Sequence, residues 1–170
     1  MKYAIAAAAV AALFAVSPAA AQDGGLNYYG SVGYQSIDLD GASLGAVNGR
    51  VGMRNDGMGL GIEVEGAAGV DDDVVGLANV ELKSQYGIYA VAFLPASDSF
   101  ELLGRIGYGR TNIEVSGVEV GDDSFNWGVG AQWFFKGGSN GLRGEWTRYE
   151  LDGADDSDAF TFSFVHRFGR

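Results

Sequence analysis

Between Leu26 and Phe168 the chain changes character at every second residue, and a period of two is the repeat that a β-strand, and no helix, turns into two chemically different faces. The first stretch sets Tyr28, Val32 and Tyr34 against Asn27, Ser31 and Gln35, and the second sets Val47, Val51 and Met53 against Asn48, Arg50 and Arg54. Met58, Leu60, Ile62 and Val64 then oppose Gly59, Gly61, Glu63 and Glu65. A fourth stretch holds one parity through Val80, Leu82, Tyr86, Ile88, Ala90, Ala92 and Leu94, against Glu81, Lys83, Gln85, Tyr89 and Phe93. Phe100, Leu102, Ile106 and Tyr108 face away from Glu101, Leu103 and Arg105, and Phe125, Trp127, Val129 and Trp133 face away from Asn126, Gly128, Gly130 and Gln132. Leu142, Gly144 and Trp146 oppose Arg143, Glu145 and Thr147, while Phe160, Phe162, Phe164 and Phe168 oppose Thr161, Ser163 and Arg167. The pattern predicts an all-β chain of eight strands.

The connections alternate in size. Asp56-Gly57, Pro95 to Ser99 and Lys136 to Asn140 are compact, whereas the regions around Asp38 to Ser43, around Asp71-Asp72-Asp73, from Ser116 to Asp123 and from Glu150 to Asp158 are larger and acidic. Short turns at one end and long loops at the other are the plan of an up-and-down barrel. For the second hairpin, Asp-Gly is a favoured pair for a two-residue type I′ turn. That turn sets Arg50 opposite Glu63, Asn48 opposite Glu65, Val51 opposite Ile62 and Met53 opposite Leu60.

Which face points outward follows from residue identity. A face in contact with water is usually rich in lysine, yet beyond Lys2 the chain has only Lys83 and Lys136, and its mid-strand charges are a near-balanced set of Arg and Glu. Such pairs suit a closed polar interior. The apolar face carries Tyr, Trp or Phe near both strand ends, as the two interfacial belts of a membrane barrel do. An apolar helix able to span a bilayer needs about 20 residues, and no stretch after the first residues approaches that length. The fold expected is therefore an eight-stranded antiparallel up-and-down transmembrane β-barrel.

The N-terminus reads as an export signal: Lys2, an apolar run from Ala4 to Val16, a break at Ser17-Pro18, and small residues Ala19-Ala20-Ala21 before Gln22. Residues 1–21 are expected to be removed and residues 22–170 to form a single barrel domain. Cysteine is absent, which leaves no disulfide framework and no lipid-modified cysteine. The net charge of −11, one unit more negative once Lys2 is lost, argues against nucleic acid as a partner.

Tyr86-Gly87-Ile88-Tyr89, Leu94-Pro95, Phe100-Glu101-Leu102 and Arg105-Ile106-Gly107-Tyr108-Gly109-Arg110, together with Gly141 to Tyr149 and the closing His166-Arg167-Phe168, resemble the small outer-membrane β-barrel proteins of proteobacteria, the OmpA-like and OmpX-like barrels. The resemblance covers the whole chain after the signal. It implies short turns and both termini in the periplasm, acidic loops outside, and members that stabilise the membrane, adhere, or are simply displayed. In that family the last strand ends in an aromatic residue read by the barrel-assembly machinery. Phe168 matches it, with Phe164 and His166 on the same face, although Gly169-Arg170 extend past it.

Candidate chemistry is sparse. His166 is the chain's one histidine, and outer-membrane lipid-modifying hydrolases pair a histidine with a serine; no serine accompanies it in a nucleophile motif, so an interfacial role fits better. One histidine and no cysteine make a poor metal set, and no cofactor is expected. Asp71-Asp72-Asp73 lacks the alternate spacing of a calcium loop and reads as a solvated, repulsive surface. Arg110 and Arg148, at the expected outer strand ends, fit either lipopolysaccharide phosphates or plain interfacial anchoring. Gly128 and Gly130 read as space for larger neighbours inside a narrow barrel.

The expected interior set is Arg50, Glu63, Glu65, Glu101, Arg105, Arg143 and Glu145, filling a lumen only wide enough for side chains. The function expected is non-enzymatic: a side-chain-plugged barrel that contributes to envelope integrity and displays acidic loops, with adhesion as a subtype. The alternative is a small passive ion or solute channel. Expected partners are outer-membrane lipids and lipopolysaccharide, the barrel-assembly machinery and an extracellular surface partner, with the barrel itself a monomer.

Overall fold

In the computed structural model, which describes residues 25–39, 42–75, 78–136, 138–152 and 156–168, alternation becomes one antiparallel sheet that closes on itself. Its strands are β1 (Leu26–Leu39), β2 (Ala42–Asn55), β3 (Leu60–Gly69), β4 (Asp72–Val75), β5 (Ala78–Pro95), β6 (Phe100–Val115), β7 (Val118–Phe134), β8 (Asn140–Leu151) and β9 (Ser157–Phe168). Each pairs with its chain neighbour except β3 with β4, and β9 returns to β1 from Tyr28 opposite Phe168 to Asp38 opposite Asp158. β3 and β4 both lie beside β5, so they share one place in the wall and the barrel has eight strands. Between them the Val70 and Asp71 amides turn back to the Gly45 carbonyl at 2.9 and 3.3 Å. The expected signal at residues 1–21 and the final Gly169-Arg170 lie outside the described residues.

The two faces are inverted relative to a water-soluble protein. Arg50, Glu63, Glu65, Arg105, Arg143 and Glu145 are buried, whereas Ile62, Val64, Ile88, Leu102, Ile106, Val129, Phe160 and Phe162 are exposed. Water would penalise so continuous an apolar belt; hydrocarbon would not. Rings meet edge to face at both ends of the belt, with Trp133 against Phe135 at 5.1 Å on the turn end and Tyr108 against Phe125 at 5.4 Å and Trp127 against Trp146 at 5.0 Å toward the opposite mouth.

Three local expectations are corrected. The second hairpin has Arg50 opposite Glu65, Val51 opposite Val64 and Met53 opposite Ile62, a shift of two residues from the Asp56-Gly57 turn. The connection is four residues, 56–59: the Gly59 amide bonds the Asn55 carbonyl at 2.9 Å, the Asn55 side-chain oxygen accepts from the Met58 amide at 3.1 Å, and Gly59 holds φ 65°. Asn55 and the left-handed glycine thus outcompete the Asp-Gly pair, and an even residue count preserves the inward parity. Next, three of the expected acidic loops are largely strand: Asp38 pairs with Ser43 and Leu39 with Ala42, Asp72 pairs with Glu81 and Asp73 with Val80, and Val118 pairs with Val115 and Asp123 with Arg110, leaving Ser116-Gly117, with φ 50° and 88°, as the whole β6–β7 turn. Finally, the parity of the fourth stretch breaks at Lys83, where the ladder slips between Leu82 and Ser84 and turns Leu82 inward.

Candidate functional site

Inward parity on separate strands brings six charged side chains to one level. Arg50 on β2 is paired with Glu65 on β3, and its second nitrogen lies 3.0 Å from Glu145 on β8. Arg105, from β6, reaches Glu65 at 2.9 Å and Glu145 at 2.8 Å and comes within 3.8 Å of Glu63. Arg143 pairs with Glu63 across the lumen and with Glu145 on its own strand. Three guanidinium groups thus meet three carboxylates. The Tyr29 hydroxyl donates to Glu63 at 2.9 Å, and the Tyr89 ring lies under the Arg105 guanidinium at 3.5 Å. In so dry a setting each pair is strong and each unpaired member would be costly.

A second level lies toward the turn end. There Glu101 accepts from Arg54 at 2.8 Å, from Arg167 at 2.6 Å and from the Gln132 amide at 2.6 Å. Arg54 stacks over Phe93 at 4.4 Å and Arg167 over Phe134 at 3.5 Å, so aromatic walls complete the layer. Glu101 is therefore separate from the other six interior residues. Arg54 and Arg167, absent from the expected interior set, stand on the polar parity of their strands, which is the signal in the sequence that marks them as inward.

Toward the mouth the charges give way to neutral groups. Gln35 donates to Gln85 at 3.0 Å and to the Tyr149 hydroxyl at 3.1 Å, and Gln85 donates to Thr111 at 3.0 Å. The glycines of β7 make room for this interior: a Cβ at Gly128 would lie 2.6 Å from the Trp146 carbonyl, and one at Gly130 would lie 2.5 Å from that of Gly144.

The remaining candidates lie on the outside. Arg110 pairs with Asp123 at 2.9 Å just beyond Tyr108 and Phe125. Arg148 pairs with Asp158 at 2.9 Å beside the Trp146 ring. His166 sits at the turn end, its Nδ1 2.7 Å from Asn140 Oδ1 and its ring edge-on to Phe168 at 4.9 Å; Phe164 is on the same exposed parity. Among the described residues no group of three or more His, Cys, Asp or Glu is placed to hold a metal ion.

Comparison with known proteins agrees with this geometry. Residues 6–168 match the family described as the outer membrane protein β-barrel domain. No match is found among curated protein sequences. Similar solved structures include Ail, the attachment invasion locus protein of Yersinia pestis, in complex with the heparin analogue sucrose octasulfate: TM-score 0.62, 15% identity, 84% of this chain and 99% of that one. OprG from Pseudomonas aeruginosa gives TM-score 0.59 and 11% identity over 86% of this chain and 97% of that one. The Neisserial surface protein NspA gives TM-score 0.56 and 12% identity over 85% and 97%. At these identities the likeness is one of fold.

Proposed function

The chain belongs to the outer membrane protein β-barrel domain family, and from that premise we propose that it is a non-enzymatic wall protein whose interior is closed by its own side chains. The family places it in the outer membrane of a Gram-negative bacterium. In this reading residues 1–21 direct export and are removed, the short turns and both termini face the periplasm, the closing Phe164, His166 and Phe168 face is read by the barrel-assembly machinery, and the acidic loops face outward from a monomeric barrel. Its role is to stiffen the envelope and present a surface. The observation that carries it is the six-residue ion-pair level, drawn from β2, β3, β6 and β8 and buried across the lumen.

Planar-bilayer recording tests the closed lumen. The wild-type protein should give at most small, flickering currents, because an open path would require parting several buried ion pairs at once. A large, steady conductance would establish the passive-channel reading in its place.

Adhesion remains a subtype with one observation in its favour: β6 and β7 pair for several residues beyond Ser124, the last β7 residue matched by β8, and so form a hairpin that outruns its neighbour on that side. Ail was solved with a polyanion. Here the chain's net charge of −11 favours a neutral or basic surface partner instead. Arg110 and Arg148 are proposed contacts for lipopolysaccharide phosphate. A phosphate would first have to displace Asp123 or Asp158, and exposed ion pairs are weak enough for that exchange.

A further inference from the structure

Above the Gln35, Gln85 and Tyr149 hydrogen bonds the interior becomes apolar. Ile37, Leu44, Ala46, Leu82 and Ala159 are buried there in one cluster with Tyr149, and a cavity of about 280 Å³ lies among Ile37, Leu44, Leu82, Ile113, Val120 and Leu151. This lining contrasts with the ion-pair level beneath it, and it differs from the second buried apolar cluster, which includes Phe93 and Phe134, in that those rings are covered by Arg54 and Arg167 whereas no lysine or arginine is among the described residues lining this space. One wall of it also exists only because of an irregularity. The extra residue Lys83 leaves Leu82 opposite Ile113 while Ser84 faces Asn112, and this turns Leu82 inward where unbroken alternation would send it out. The bulge leaves a backbone position unpaired, and such features recur where a side chain must be re-aimed.

We propose that this cavity binds one small uncharged aliphatic molecule bearing a hydrogen-bonding end group. Apolar cavities of roughly 150 Å³ hold benzene, so the space here suits a ligand of about ten non-hydrogen atoms. Leucine and isoleucine side chains supply the walls, and the Gln85 amide and Thr111 hydroxyl, which line the same cavity, meet the polar end. Charge restricts the class. Asp122 lines the cavity and, among the described lining residues, no lysine or arginine does, so a carboxylate or phosphate would be repelled. Beneath the site, Gln35 ties Gln85 to Tyr149, and the ion pairs follow, so the ligand enters and leaves through the mouth. The proposal stands whether or not the barrel conducts ions.

The test is methyl NMR of full-length protein in lipid nanodiscs, titrated with 1-octanol and, separately, with octanoate. With 1-octanol the methyl signals of Ile37, Leu44, Leu82 and Ile113 should shift and saturate, whereas lipid-facing Leu102 and Ile106 should drift without saturation as the alcohol enters the bilayer. Octanoate should bind at least tenfold more weakly. Ile113→Trp fills the space and should abolish the saturable response at Ile37 and Leu44 while the barrel stays heat-modifiable; if that variant does not fold, Leu151→Trp serves the same purpose. Cavity methyls that merely follow the lipid-facing ones, equal binding of octanoate, or a saturable response that survives the filling substitution would each overturn the proposal.

Discussion

Arg143 illustrates what a single interior residue carries. It stands between Glu63 and Glu145 in a place without access to water, and removing it leaves three carboxylates facing two guanidinium groups, with Glu63 deprived of its nearest cation while Glu145 keeps Arg50 and Arg105. Arg143→Met should therefore destabilise the barrel by about 3–5 kcal/mol in refolding titrations into lipid vesicles. Arg110→Met, which breaks an exposed pair with Asp123, should move the same midpoint little. Neutralising the carboxylate left in excess, as Arg143→Met with Glu63→Gln, should recover much of the loss, because the penalty lies in the unpaired charge more than in the missing bond. Parity makes such residues legible in sequence: a charge on the small-residue side of a strand can only point inward once the other side is lipid-facing. Parity says nothing of height, however. Two residues equally inward can lie a layer apart: Glu101 shares the inward parity of Arg105, yet its bonds are to Arg54 and Arg167.

At the scale of the element, strand identity was set by alternation and strand ends were not. The Asn55 to Leu60 connection shows why. Asp56-Gly57 has the composition of a tight turn, but the choice among turns also depends on what the flanking side chain can cap, and Asn55 caps Met58. The two arrangements make opposite demands on two glycines. Gly57 has a φ outside the left-handed region, and a Cβ there would meet only the Asn55 side-chain oxygen at 3.3 Å; Gly59 has φ 65°, and a Cβ there would sit 2.7 Å from the Phe93 carbonyl. Gly59→Ala should then cost at least about 1–2 kcal/mol in the same refolding assay, with Gly57→Ala nearly silent. The reverse order would restore the two-residue turn and its register. The slip at Lys83 was illegible for a different reason: a bulge leaves both flanking stretches correctly alternating, and only a cross-strand partner reveals that one residue has been skipped.

For the whole molecule the decisive property is the inverted solvent preference. Val129, more than half exposed and midway between Phe125 and Trp133 on β7, is at the level where charge is worst tolerated. Val129→Arg should cost about 2–4 kcal/mol on insertion into vesicles. Val118→Arg, at the tip of the β6 and β7 hairpin, should cost almost nothing by the same measurement. Equal penalties would mean the belt does not face lipid. The pairing of β1 with β9 bears on the order of events during biogenesis. Tyr28 and Phe168 come from opposite ends of the barrel sequence, so the seam that removes the last open edge depends on the final strand to be synthesised. Such a long-range closure is slow, and until it forms both edge strands can recruit a neighbouring chain. A chain whose β1 and β9 are still apart is therefore open to aggregation and proteolysis for as long as that seam stays unmade.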